Sequence, residues 1–87
     1  MPIKEITLKV ASFFGLSHSD IVGSSREIRI VYARYICIFL CYHYSKRPSV
    51  VIQKHLNTYQ SSFYNALQQM SKNPDCGRVA SALGLKK

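Results

Sequence analysis

The residues of this 87-residue chain best suited to hold a metal are its three cysteines and three histidines, and its nearest approach to a nucleophile is the serine pair Ser61 and Ser62. Cys37, Cys41 and His43 stand close together, but a structural zinc site needs four ligands converging on one point. On a helix Cys37 and Cys41 fall one turn apart on the core stripe, while His43 projects from another face. They read as core cysteines, since free Cys is among the most buried residue types. Cys76 has no CxxC partner. His18, His43 and His55 lie in three separate segments, and four Asp and Glu leave few general acid–base pairs. Ser61 and Ser62 lack a Gly-x-Ser-x-Gly elbow and read as cap or phosphate contacts. No metal, cofactor or catalytic residue is implied, and the chain is expected not to be an enzyme.

A second group of residues has chemistry suited to recognition. Thr58, Tyr59, Gln60, Ser61, Ser62 and Asn65 gather hydroxyls and amides near the start of one expected helix. There side chains can meet base edges and free backbone amides can face phosphates. Gln60 and Asn65 are of the types that pair with adenine. Arg26, Arg29, Lys46, Arg47, Lys54 and Lys72 flank the turns around that segment, as phosphate clamps do. Twelve Lys and Arg against four Asp and Glu give a formal charge of +8, which favours an anionic partner, nucleic acid or an acidic membrane surface. The most apolar stretch, 28–44, is interrupted by Arg29 and Arg34 and is shorter than the roughly 20 residues a bilayer requires, so no membrane span is expected.

Helices must position these groups. From Glu5 to Phe14 the apolar residues Ile6, Val10, Phe13 and Phe14 recur at three and four, an amphipathic helix that Gly15 can stop. Ser17 three places before Asp20 opens a short second helix carrying Ile21 and Val22. Gly23 ends it, and Ser24 to Glu27 spells a capping box for a long third helix. Its stripe of Ile30, Ala33, Cys37, Leu40, Cys41 and Tyr44, with Val31, Tyr35, Ile38, Phe39 and Tyr42 filling much of the remainder, predicts a central position. Pro48 suits the first turn of a fourth helix to about Leu56, with Val51, Ile52 and Leu56 inward.

Asn57 and Thr58 then supply a tight turn and a cap for a fifth helix, about 59–72. It buries Phe63, Ala66, Leu67 and Met70 and turns Gln60, Ser61, Tyr64, Asn65, Gln68 and Lys72 outward. Asn73 and Pro74 break it. Asp75 caps a last short helix carrying Val79, Ala82 and Leu83, closed by Gly84 before a basic tail, 84–87. The expected fold is all-α: a compact bundle of five to six helices with a long central helix and a helix-turn-helix at about 48–72, in one domain over 1–87. An odd number of cysteines without a secretory leader points to a reducing compartment, the cytoplasm.

The order of segments over roughly 6–70 resembles the C-terminal DNA-binding domain of the bacterial replication initiator DnaA, a helix-turn-helix domain of the TrpR-like superfamily. In "SDIVGSSREIRIVYARYICIFLCYHY" the resemblance puts Arg26 where a loop arginine reaches the minor groove and Arg34 where a helix arginine contacts the DNA backbone. "VIQKHLNTYQSSFYNAL" falls on the helix-turn-helix, with Ser61 and Ser62 on the family's paired threonines. The family's Gly-Gly-Arg-Asp-His before those threonines is one residue shorter here and reads Asn57, Thr58, Tyr59, Gln60. The base-contacting triplet is gone, so duplex DNA is implied but not the initiator's own site. No G-x-x-x-x-G-K-[ST] run is present, so the initiator's ATPase part is not expected. The resemblance further implies a monomer, bacterial or phage-encoded. The alternative is a protein-interaction or regulatory module docking on a larger replication or mobile-element protein: most aromatics fall on inward stripes, but Tyr59 and Tyr64 project outward and suit a protein interface.

Overall fold

A computed structural model describes residues 2–85. These form six helices and no strand: α1 (Ile3–Phe14), α2 (His18–Val22), α3 (Ile28–Tyr44), α4 (Ser49–Leu56), α5 (Gln60–Met70) and α6 (Pro74–Ala82). The expected all-α bundle with a long central helix is what forms. Lys86 and Lys87 of the expected basic tail lie outside the described residues.

Local chemistry sets most of the boundaries. Gly15, at φ 69°, ends α1, its amide donating to the Ser12 carbonyl while the Leu16 amide reaches the Ala11 carbonyl at 2.7 Å. That pair of bonds is the glycine-ended helix stop in which a left-handed residue satisfies the orphan carbonyls. Asn57, at φ 55°, repeats the device at the end of α4, with the Thr58 amide donating to the Gln53 carbonyl at 3.0 Å. Asparagine tolerates this conformation because its short polar side chain bonds locally. The capping box opening α2 is present, Ser17 Oγ accepting from the Asp20 amide and Asp20 Oδ2 accepting from the Ser17 amide.

Three expected caps are corrected. Ser24 and Glu27 make no capping box: α3 begins at Ile28 without a side-chain cap, and Ser25 Oγ accepts from the Glu27 amide instead. Thr58 does not cap α5, whose preceding residue is Tyr59 with no side-chain cap bond. Asn73 rather than Asp75 caps α6, its Oδ1 accepting from the Asp75 amide at 2.8 Å.

Helix α3 packs against each of the other five. Ala33, Ile36, Cys37, Ile38, Leu40 and Cys41 are fully buried along it, joined by Ile6 and Val10 of α1, Ile21 of α2, Ile52 and Leu56 of α4, and Phe63 and Ala66 of α5. Burial on nearly all sides is why its sequence lacks a polar face. Three residues expected inside are outside: Phe13 is about half exposed, resting edge-on against Phe14, and Val51 and Ala82 are exposed, Ala80 taking the buried place on α6. Tyr42, expected on the central helix's apolar sides, is also exposed. Thr7 is buried instead, its hydroxyl donating to the Ile3 carbonyl at 2.8 Å. No helix among the described residues is long and apolar enough to cross a membrane.

Candidate nucleic-acid interface

Helix α4, the turn at 57–59 and helix α5 form the two-helix motif. Phe63, Ala66 and Met70 anchor α5 on the core and leave Gln60, Ser61, Tyr64, Asn65, Gln68 and Gln69 exposed. The 3.6-residue period predicts Gln60, Ser61, Tyr64, Asn65 and Gln68 of that row, whereas Lys72, expected with them, lies beyond the end of α5. None of the residues of α5 carries a formal charge.

Beside the start of α5 lies the loop between α2 and α3. A concavity of about 360 Å³ separates them, lined by Ser24, Ser25 and Arg26 on one side and by Asn57, Thr58, Tyr59 and Ser62 on the other, with Arg34 and Tyr35 of α3 at its base. Five of the residues singled out from sequence thus meet: Arg26, Arg34, Thr58, Tyr59 and Ser62. Gln60, Ser61 and Asn65 continue outward along α5. Arg29 is exposed at the start of α3, and Lys46 and Arg47 are exposed in the α3–α4 connection, none of the three lining the concavity. Ser24, Ser25 and Tyr35 were missed as site residues. For the serines the signal was their place beside Arg26 in the loop. Thr58 Oγ1 is buried without a hydrogen-bond partner among the described residues.

Arg34 at the base of this site is held by three backbone carbonyls. Its Nε donates to the Ile21 carbonyl at 2.6 Å, Nη2 to the Asp20 carbonyl at 3.2 Å and Nη1 to the Ser25 carbonyl at 3.1 Å. One guanidinium thereby ties the end of α2 and the following loop to the central helix. Partial burial lowers its pKa, but guanidinium stays protonated in proteins. Gly23 supports the same junction: a Cβ there would meet the Ser19 carbonyl oxygen at 2.7 Å, closer than side chains approach.

Of the surrounding cations, Arg26, Arg29, Lys46, Arg47, Lys54 and Lys72 form no ion pair among the described residues; the salt bridge found there joins Arg78 to Asp75 at 3.1 Å. Unpaired exposed cations are available to phosphate at little desolvation cost. The cysteines offer no metal site: Cys37 and Cys41 are buried with sulfurs 3.9 Å apart, and contact with Cys37 followed by burial pushes the Cys41 thiol far up. Burial, with Asp75 adding to it, pushes the Cys76 thiol up to about 11. Cys41 and Cys76 are protonated core groups. No cluster of three or more metal-ligating side chains occurs among the described residues.

An all-helical bundle that presents a polar second helix beside a loop carrying an exposed arginine defines a helix-turn-helix protein of the nucleic-acid-binding class. The family described as the bacterial dnaA protein helix-turn-helix matches residues 3–69, and the chain belongs to that family. No curated protein matches it. Helix α6 falls beyond the matched segment.

Proposed function

We propose that this protein binds duplex DNA without catalysing a reaction, laying α5 in the major groove while Arg26 reaches toward the adjacent minor groove. The observation that carries the reading is the concavity itself, which brings loop 24–26 and the start of α5 to one rim although they are far apart in sequence. A phosphate strand passing over that rim would meet the Arg26 side chain, the hydroxyls of Ser24, Ser25 and Ser62, and the free amides of the α5 N-terminus. Arg29, Lys46 and Arg47 act as outlying clamps. Arg34 spends a hydrogen on each of its three nitrogens inside the protein and acts on DNA chiefly by holding the loop.

The test is binding of the full chain to labelled random-sequence duplex at several salt concentrations. Tight binding that falls steeply with salt, weakened by Arg26→Ala and Gln60→Ala, is expected; no binding at low salt rejects the reading. A second reading, a protein-interaction module, draws on Ile28, which is 86% exposed beside an apolar groove lined by Val31, Tyr32, Tyr35 and Met70. Under it, Ile28→Ser and Tyr59→Ala weaken a partner complex that is insensitive to salt, and DNA binding is absent.

A further inference from the structure

The exposed residues of α5 are Gln60, Ser61, Tyr64, Asn65, Gln68 and Gln69, so every polar group it can offer to a base edge is an amide or a hydroxyl. The major-groove code makes that composition informative. Guanine is read chiefly by Arg or Lys on O6 and N7, and cytosine by Asp or Glu accepting from N4, whereas Asn and Gln pair bidentately with adenine N6 and N7. Helix α5 has no residue of the first two kinds. The surrounding cations lie off α5: Arg26 in the 24–26 loop, Arg29 at the start of α3, Lys46 and Arg47 in the α3–α4 connection, Lys54 on α4 and Lys72 just past the end of α5, positions suited to phosphates on the DNA-binding reading.

Resting on the DNA-binding reading above, we infer that the base pairs covered by α5 are A·T, read through adenine N6 and N7 by the amides of Gln60 and Asn65. Asn65 is prepared for this. Gln69 Nε2 donates to Asn65 Oδ1 at 3.2 Å, which ties the Asn65 amide to its neighbour one turn along α5. Oδ1 keeps a second lone pair for adenine N6–H and Nδ2 keeps its hydrogens for N7, the donor–acceptor pair that adenine requires. Gln69 is thus a positioning residue for Asn65.

Selection from random duplex with the full chain is expected to enrich a motif. The α5-covered pairs are those whose preference relaxes in Gln60→Ala or Asn65→Ala, and they should be A·T. Replacing adenine at those pairs by 7-deazaadenine keeps base pairing and the minor groove but removes the N7 acceptor. Affinity should fall roughly 5- to 150-fold per pair. Gln69→Leu should relax preference at the Asn65 pair and nowhere else. A motif with G·C at the responsive pairs, or no responsive pair at all, overturns the inference while leaving DNA binding intact. So does an A·T site that binds equally well with 7-deazaadenine, because the preference would then come from a narrow minor groove around Arg26. Absence of binding to any duplex at low salt removes both readings together.

Discussion

Arginine 34 and arginine 26 line one concavity and are expected to fail in opposite ways. Arg34 donates to three backbone carbonyls from a partly buried position, so its removal strands those carbonyls and frees the loop after α2. Losing charge-assisted bonds of this kind costs about 2–3 kcal/mol. Urea unfolding of Arg34→Met should register that loss, and Arg34→Lys should recover less than half of it, because an ammonium cannot span three carbonyls as a planar fork does. Arg26→Ala, exposed and without an ion pair, should change stability by less than about 0.5 kcal/mol while weakening DNA binding. An equal stability loss in the two variants would contradict the division of labour. In sequence, Arg34 stood out as a charge inside an apolar helix, which says that partners exist. That those partners are the carbonyls of Asp20, Ile21 and Ser25 is a tertiary fact that no local spacing encodes.

At the scale of elements, the boundaries written by adjacent residues were legible and those set by distant ones were not. Gly15 and the Ser17–Asp20 box act within a few residues of themselves, and both were read correctly. The Ser24–Glu27 box fails in the segment whose Ser25 carbonyl Arg34 holds, with Glu27 itself in the N-cap place at a non-helical ψ of 132°. Thr7 and Ala11 escaped notice because the buried stripe of α1 admits small and weakly polar residues that a search for large apolar side chains passes over. The contact between α2 and α4 was equally invisible: His18 Nε2 and His55 Nε2 lie 3.4 Å apart, their rings edge to face. Burial lowers the pKa of His55, and His18 of α2 and Lys4 of α1 add to the effect. The unfolded chain therefore binds a proton at His55 more readily than the folded one, and stability rises with pH. The contribution is intact above the ordinary histidine value of 6.5 and is lost as pH falls through the lowered folded value. Thermal unfolding should show a lower midpoint at pH 5.5 than at pH 7.5, and His55→Gln should flatten that difference. A wild-type midpoint unchanged between the two pH values would show that the pair carries no such coupling.

Over the whole molecule the surplus of positive charge was plain from composition, whereas its arrangement became visible only once the chain was folded. Arg78 and Asp75 cancel in the salt bridge among the described residues, whereas Arg26, Arg29, Lys46, Arg47, Lys54 and Lys72 form none there, and these six cations remain available to a polyanion. Counterion release converts that availability into a measurable slope: each phosphate neutralised contributes about −0.9 to the dependence of log affinity on log salt. If Arg26, Arg29, Lys46 and Arg47 each take one phosphate, affinity should fall about a hundredfold between 50 and 200 mM salt. Alanine at any one of the four should then make the slope shallower by about 0.9. Gln60→Ala should behave differently, lowering affinity for the preferred site by a constant factor at every salt concentration, since an amide on a base edge displaces no counterion. Lys4→Ala, on α1 and outside the site, should leave both quantities unchanged. The pattern across these variants separates position from identity: equal slopes in all of them would mean that attraction is spread over the molecule's surface, whereas slope changes confined to the four cations would place the DNA across the 24–26 loop and the α3–α4 connection, with α5 between them.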